Sequence, residues 1–281
     1  MRARWSTAAL GLLVVAACSA DDEGVAGTTS SSGSASVGGG GGVLPTGGGG
    51  GAAADGGGGG APWQPVETDW CGDEWLGLDE QTCFYAPQDV VAPTGLLVFL
   101  HGMMPPDSLP TTMQAMARQA ADDYGVVALF PRGRAGLCSW DPSVETWWCW
   151  PTGRAAIDEV ASEMIAEWDA AATRLEVLLG TDFTERYVLG FSNGGYFAAY
   201  IGLEDLWTTD GAGQVAAGRS NVDESLLSSW RPPIYIAVGD LDQSSVQQSA
   251  ENLACVLYQN DWAHDYVLHA GRGHELGQDD F

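Results

Sequence analysis

Lysine is missing from this 281-residue chain: all 11 basic residues are arginines, and they face 37 acidic ones for a formal net charge of -26 at pH 7. So acidic a surface argues against nucleic acid and other polyanionic partners and reads as the solvated exterior of a soluble protein. Long apolar runs are also missing, because the stretch from Ala8 to Ala17 is too short to span a bilayer. No two cysteines have the C-x-x-C spacing of a zinc site, so neither a structural metal nor a cofactor is expected. Between residues 24 and 60 bulky apolar side chains are nearly absent, while 18 of the 39 glycines lie there among Ser, Thr and Ala. That segment cannot bury enough surface to offset its ordering entropy.

These absences divide the chain. Residues 1–20 open with Arg2 and Arg4, continue through the short apolar run and close on small residues, the anatomy of an export signal. The sequence Val15-Ala16-Ala17-Cys18 resembles the bacterial lipobox, which implies acylation of Cys18. Ordinary cleavage after Ala20 also meets the small-residue rule. Acyl chains on Cys18 would hold the protein on a membrane surface without a spanning helix, and Ser19 resembles the outer-membrane form of the signal. Residues 21–62 then form a disordered tether, of which 37 residues reach roughly 35 Å. Residues 63–281 remain for one folded domain, expected to act as a monomer.

Export permits disulfides. Sequence neighbours suggest Cys71 with Cys83 and Cys138 with Cys149, which leaves Cys255 over. From residue 80 onward short apolar runs alternate with longer amphipathic ones, the α/β pattern of a mostly parallel sheet with helices on both faces. Strands are expected at 81–87, 95–101, 125–131, 186–191, 233–239 and 265–270, and helices at 111–122, 155–179, 195–203 and 244–258. In such sheets ligands gather where strands end at their carboxyl side.

The loops at that edge carry the chemistry. GFSNGG places Ser192 directly after a strand and before a helix, the setting that the G-x-S-x-G nucleophile elbow requires. Small Gly190, Gly194 and Gly195 permit the tight turn, and the N–H of Asn193 at the helix start can face a developing oxyanion. After the strand at 95–101 comes His101-Gly102-Met103-Met104. Glycine there admits a substrate carbonyl, with the amide of Met103 the candidate donor and that of Met104 the alternative. His101 is expected to order this loop rather than transfer protons. Asp242 is favoured over Asp240 as the carboxylate that fixes a histidine, and His274 over His269 as that histidine, with His264 left on the surface.

The order Ser192, Asp242, His274 is that of the α/β-hydrolases. With GLLVFLHG, ALFPRG, CSWDP…WWCWP, GFSNGG, GDLD and GRGHE in sequence, residues 67–281 resemble the polyhydroxybutyrate-depolymerase and feruloyl-esterase branch of that superfamily. The resemblance implies hydrolysis of an ester, aromatic or polymeric, through an acyl-enzyme. Two features depart from the branch: the paired methionines, and the short stretch after His274, which leaves little room for the helix that usually follows. Trp140, Trp147 and Trp148 either offer a flat platform for a bulky substrate or pack as a small secondary core beneath their loop.

Overall fold

The computed structural model describes residues 63–281 apart from Ser139, Trp140 and Ser220. The expected signal segment with Cys18, the expected tether and Trp140 therefore lie outside the described residues. The elements run β1 (Leu76–Gly77), β2 (Thr82–Tyr85), β3 (Gly95–Leu100), α1 (Thr111–Tyr124), β4 (Val127–Pro131), α2 (Arg154–Leu179) and β5 (Glu185–Phe191). They continue with α3 (Asn193–Glu204), β6 (Gly211–Val215), β7 (Ile234–Gly239), α4 (Ser244–Gln259) and β8 (His264–His269).

Among the described residues one sheet takes the order β1-β2-β4-β3-β5-β6-β7-β8. The β1–β2 and β2–β4 pairs are antiparallel and all others parallel. Every residue of β3 and of β4 is buried, as strands covered on both faces must be. The chain steps from β3 outward to β4, then back across β3 to β5. With right-handed crossovers this reversal puts α1 on one face and α2 on the other. The packing agrees: Leu97 and Phe99 cluster with Ala117 and Ala121 of α1. Trp168 of α2, Phe197 of α3 and Trp150 form a second ring cluster, with Trp150 and Phe197 stacked at 6.2 Å.

The reversal at β3 opens a crevice at the carboxyl ends of β3 and β5, where ligands collect in sheets of this kind. Both expected disulfides, Cys71–Cys83 and Cys138–Cys149, are formed. Cys255, which pairing by sequence proximity had left over, is disulfide-bonded too. The sequence reading also overlooked β1 and β6. The missed β6 reads GAGQV, with little of the bulky β-branched character of a strand. Its small residues answer to crowding: a Cβ on Gly213 would strike the side chain of Leu189 in the neighbouring strand.

Candidate active site

Ser192 stands between β5 and α3 with φ 52° and ψ -118°, a left-handed conformation rare for a residue with a side chain. Its surroundings hold it there. The Ser192 amide donates to Val215 O at 2.8 Å, and the Tyr196 amide donates to Ser192 O at 3.0 Å. A Cβ on Gly194 would collide with the carbonyls of Leu100 and His101, so the turn closes directly against the end of β3. Turned outward in this way, the half-buried Ser192 hydroxyl donates to His274 Nε2 at 2.8 Å.

Asp242 lies three residues beyond β7, and its side chain is fully buried. Its carboxylate accepts from His274 Nδ1 at 2.9 and 3.0 Å and from the Gln243 amide at 2.6 Å. A carboxylate can only accept, so the imidazole proton sits on Nδ1 and leaves Nε2 free to receive the serine proton. Gln247 donates to the carbonyl of Asp242 at 2.6 Å, fastening the loop to α4. Asp240 is turned elsewhere, accepting from the Gly271 amide at 2.6 Å. His264 contacts the Trp262 carbonyl, and His269 contacts Asp280 at 2.9 Å.

The segment carrying His274 is anchored by residues that the sequence reading did not single out. Gly239, at the end of β7, lies so close under the Arg272 and Gly273 carbonyls that any Cβ would clash. Arg272 bridges Asp279 and Asp280. The fully buried carboxylate of Asp280 also accepts from His269 Nε2 and, at 2.7 Å, from the Gly277 amide. Phe281 stacks on Phe99 at 5.4 Å. These contacts are made from a short 3-10 turn, Gln278–Asp280. The only hint in the sequence was a pair of acids a few residues after an arginine.

Beside Ser192 lies the loop after β3. A Cβ on Gly102 would come within 3.4 Å of the Ser192 Cβ, so this backbone runs against the serine corner. The Met104 amide already donates to Trp148 O at 3.1 Å, and the Met104 carbonyl accepts from the Trp148 amide in return at 2.8 Å. That commitment removes Met104 as a free donor. Met103 is 38% exposed, and its amide has no acceptor among the described residues. The Asn193 amide belongs to the first turn of α3, whose N–H groups lack intrahelical partners.

His101 is wholly buried and makes two bonds: Nδ1 to the Gly102 carbonyl at 2.5 Å, and Nε2 accepting from the Gly133 amide at 2.9 Å. Burial lowers its pKa from 6.5 to about 4. A neutral imidazole committed at both nitrogens orders the loop and has no free site for proton transfer. Trp150 is equally structural. Its indole N–H donates to His101 O at 2.8 Å, and its amide donates to the Asn193 side chain at 2.7 Å. The tryptophan loop is thereby bolted to both flanks of Ser192. Trp147 and Trp148 stay half-buried, Trp148 beneath the guanidinium of Arg132 at 4.3 Å.

No protein-family model matches the chain. Among solved structures it resembles the esterase PE8, with a TM-score of 0.50 and 21% identity over 70% of this chain and 92% of that one. SOBER1 of Arabidopsis thaliana gives 0.53 and 16% identity, covering 66% of this chain and 93% of that one. A Bacillus cereus carboxylesterase gives 0.50 and 19% identity over 70% and 87%. These likenesses, with the strand order and the helices, establish the α/β-hydrolase fold. One curated protein, the bifunctional acetylxylan esterase/xylanase XynS20E of Neocallimastix patriciarum, is 29% identical over 117 residues, which are 40% of this chain. The match spans only 14% of that protein's length.

Proposed function

We propose that the domain is a serine hydrolase acting on carboxylic esters. The observation that carries this reading is the continuous line from Asp242 through His274 to Ser192, at a left-handed corner on the carboxyl edge of the sheet. Ser192 Oγ attacks the ester carbonyl carbon as its proton passes to His274 Nε2, and Asp242 stabilises the imidazolium that forms. The amides of Met103 and Asn193 receive the oxyanion. Collapse of the tetrahedral intermediate expels the alcohol, which takes the proton from His274. Water, activated by the same histidine, then releases the acid and regenerates Ser192. The esterase names among the structural neighbours and the acetylxylan esterase likeness favour an ester over a peptide as substrate.

Within that class an aromatic or polymeric ester is the preferred substrate, on the strength of the depolymerase-like and feruloyl-esterase-like motifs and the half-buried Trp147 and Trp148. We place the enzyme outside the cytoplasm, tied to the cell envelope through Cys18. The disulfides suit an oxidising compartment, and among the described residues no helix is long and apolar enough to cross a membrane. A fluorophosphonate probe tests the core of the reading. Labelling should depend on Ser192 and coincide with ester turnover. A protein that takes no label would be a binding module on a hydrolase fold, and one that is labelled but cleaves only peptides would be a peptidase.

A further inference from the structure

Arg132 is the first residue past the carboxyl end of β4. Arg118, Arg134, Arg154, Arg186, Arg219 and Arg272 each ion-pair with Asp or Glu. Arg132, like Arg174 and Arg231, forms no ion pair among the described residues, although the Glu80 carboxylate lies near enough to favour its charge. It is nonetheless held in place. Its amide donates to Gln81 O at 2.8 Å, its Nε donates to Gln81 Oε1 at 2.6 Å, and its guanidinium lies 4.3 Å over the Trp148 ring, with Trp70 5.5 Å away. Neither Nη group bonds to a described residue, and neither is buried without a partner. The back and one face of the fork are fixed while the two Nη groups remain open, the disposition that takes a carboxylate by two parallel hydrogen bonds.

The position ties this fork to the candidate active site through two separate links. Gly133, the next residue, donates its amide to His101 at the base of the oxyanion loop. Trp148, on which the guanidinium rests, pairs through both backbone groups with Met104, the neighbour of Met103. On a protein of net charge -26 an anionic substrate meets general repulsion, so a local cation is needed to seat one. Resting on the esterase reading above, we propose that Arg132, oriented by Gln81 and Trp148, is a subsite for a carboxylate borne by the substrate: the ester is one whose acid or alcohol part carries a second, free carboxyl group.

The test compares matched esters. One pair is the p-nitrophenyl half-ester of a dicarboxylic acid against the neutral fatty-acid ester of equal length. The other is the acetate of a phenol bearing a carboxylate against that of its carboxamide, so the two pairs separate the acid side from the alcohol side. In Arg132→Gln the charged-to-neutral ratio of kcat/KM should fall about 10- to 100-fold in one pair, the loss of charge-assisted hydrogen bonds. Arg132→Lys should recover only part, since an ammonium lacks the fork. An unchanged ratio in both pairs overturns the proposal, as does an equal loss on charged and neutral esters in folded protein. Should Arg132→Gln not fold, competitive inhibition of the wild-type enzyme by free aliphatic dicarboxylates, but not by the matching diamides, is the deciding measurement, and its absence sinks the idea. Failure of the esterase reading is distinguishable, because neither neutral ester would then turn over. In that event dicarboxylate quenching of tryptophan fluorescence in Ser192→Ala still reports on Arg132, and no quenching overturns the subsite.

Discussion

Ser192 and His274 share one proton path, so removing either should cost about as much as removing both, on the order of 10⁶-fold in kcat. Steady-state turnover of a simple ester by the single and double variants checks this, and additive losses would disprove the shared path. Asp242→Asn should cost about 10⁴-fold by disturbing the tautomer at His274, while Asp240→Asn should stay within about tenfold because Asp240 faces the Gly271 amide. His101 makes a prediction in pH. Its folded pKa of about 4 lies below its ordinary 6.5. Above 6.5 the imidazole is neutral in folded and unfolded chains alike. As pH falls further, the unfolded chain takes a proton that the folded one refuses, so stability is lost. By about pH 4 that loss should reach about 3 kcal/mol. Urea melts of wild type and His101→Gln between about pH 7 and pH 4 should diverge, the variant being weaker at neutral pH but flatter. Parallel curves would mean that His101 does not resist protonation.

At the scale of elements, most strands and all four described helices were legible because short continuous apolar runs alternate with longer, largely amphipathic stretches. Strand β6 was not, since its function in the sheet is to be small beside Leu189 and Tyr187, and smallness carries no periodic signal. Ser192, Asp242 and His274 stood out because loop chemistry at strand ends follows spacing. The clasp of Arg272, Asp279 and Asp280 did not, because it is assembled by a turn closing back on itself rather than by a pattern along the chain. That clasp should matter. Asp280→Ala leaves Arg272 and His269 facing an empty pocket and should cost about 3 kcal/mol, lowering Tm by roughly 6–12 °C. The fluorophosphonate labelling rate of Ser192, measured well below that Tm, should fall more than the remaining folded fraction explains, because His274 loses its support. A variant that melts early yet labels at full rate would limit the clasp to stability. The tryptophan loop divides likewise: Trp150 is structural, and Trp147→Ala in folded protein should reduce turnover of aromatic or polymeric esters more than that of a small acetate. Equal losses on both would return Trp147 to a packing role.

For the whole molecule, charge and attachment are linked. With nine arginines and 37 acidic residues beyond the signal, the domain is repelled by anionic lipid headgroups, so it gains nothing from lying on a membrane and needs a covalent anchor to stay near one. On the reading proposed above, acyl chains on Cys18 would supply such an anchor, and the glycine-rich residues 24–60 would supply the reach to hold the domain away from the repelling surface. Cys18→Ser should therefore move the protein from the membrane fraction to the soluble exported fraction while kcat and KM for a soluble ester stay unchanged. High salt should not release the wild type, because the proposed attachment is by acyl chains in hydrocarbon rather than by ion pairs. Intact mass decides the chemistry. Membrane-extracted protein should carry the lipid mass on an N-terminal Cys18. A soluble Cys18→Ser variant with reduced activity would mean that the cysteine also serves the fold, and a membrane-bound one would remove the anchor from this account.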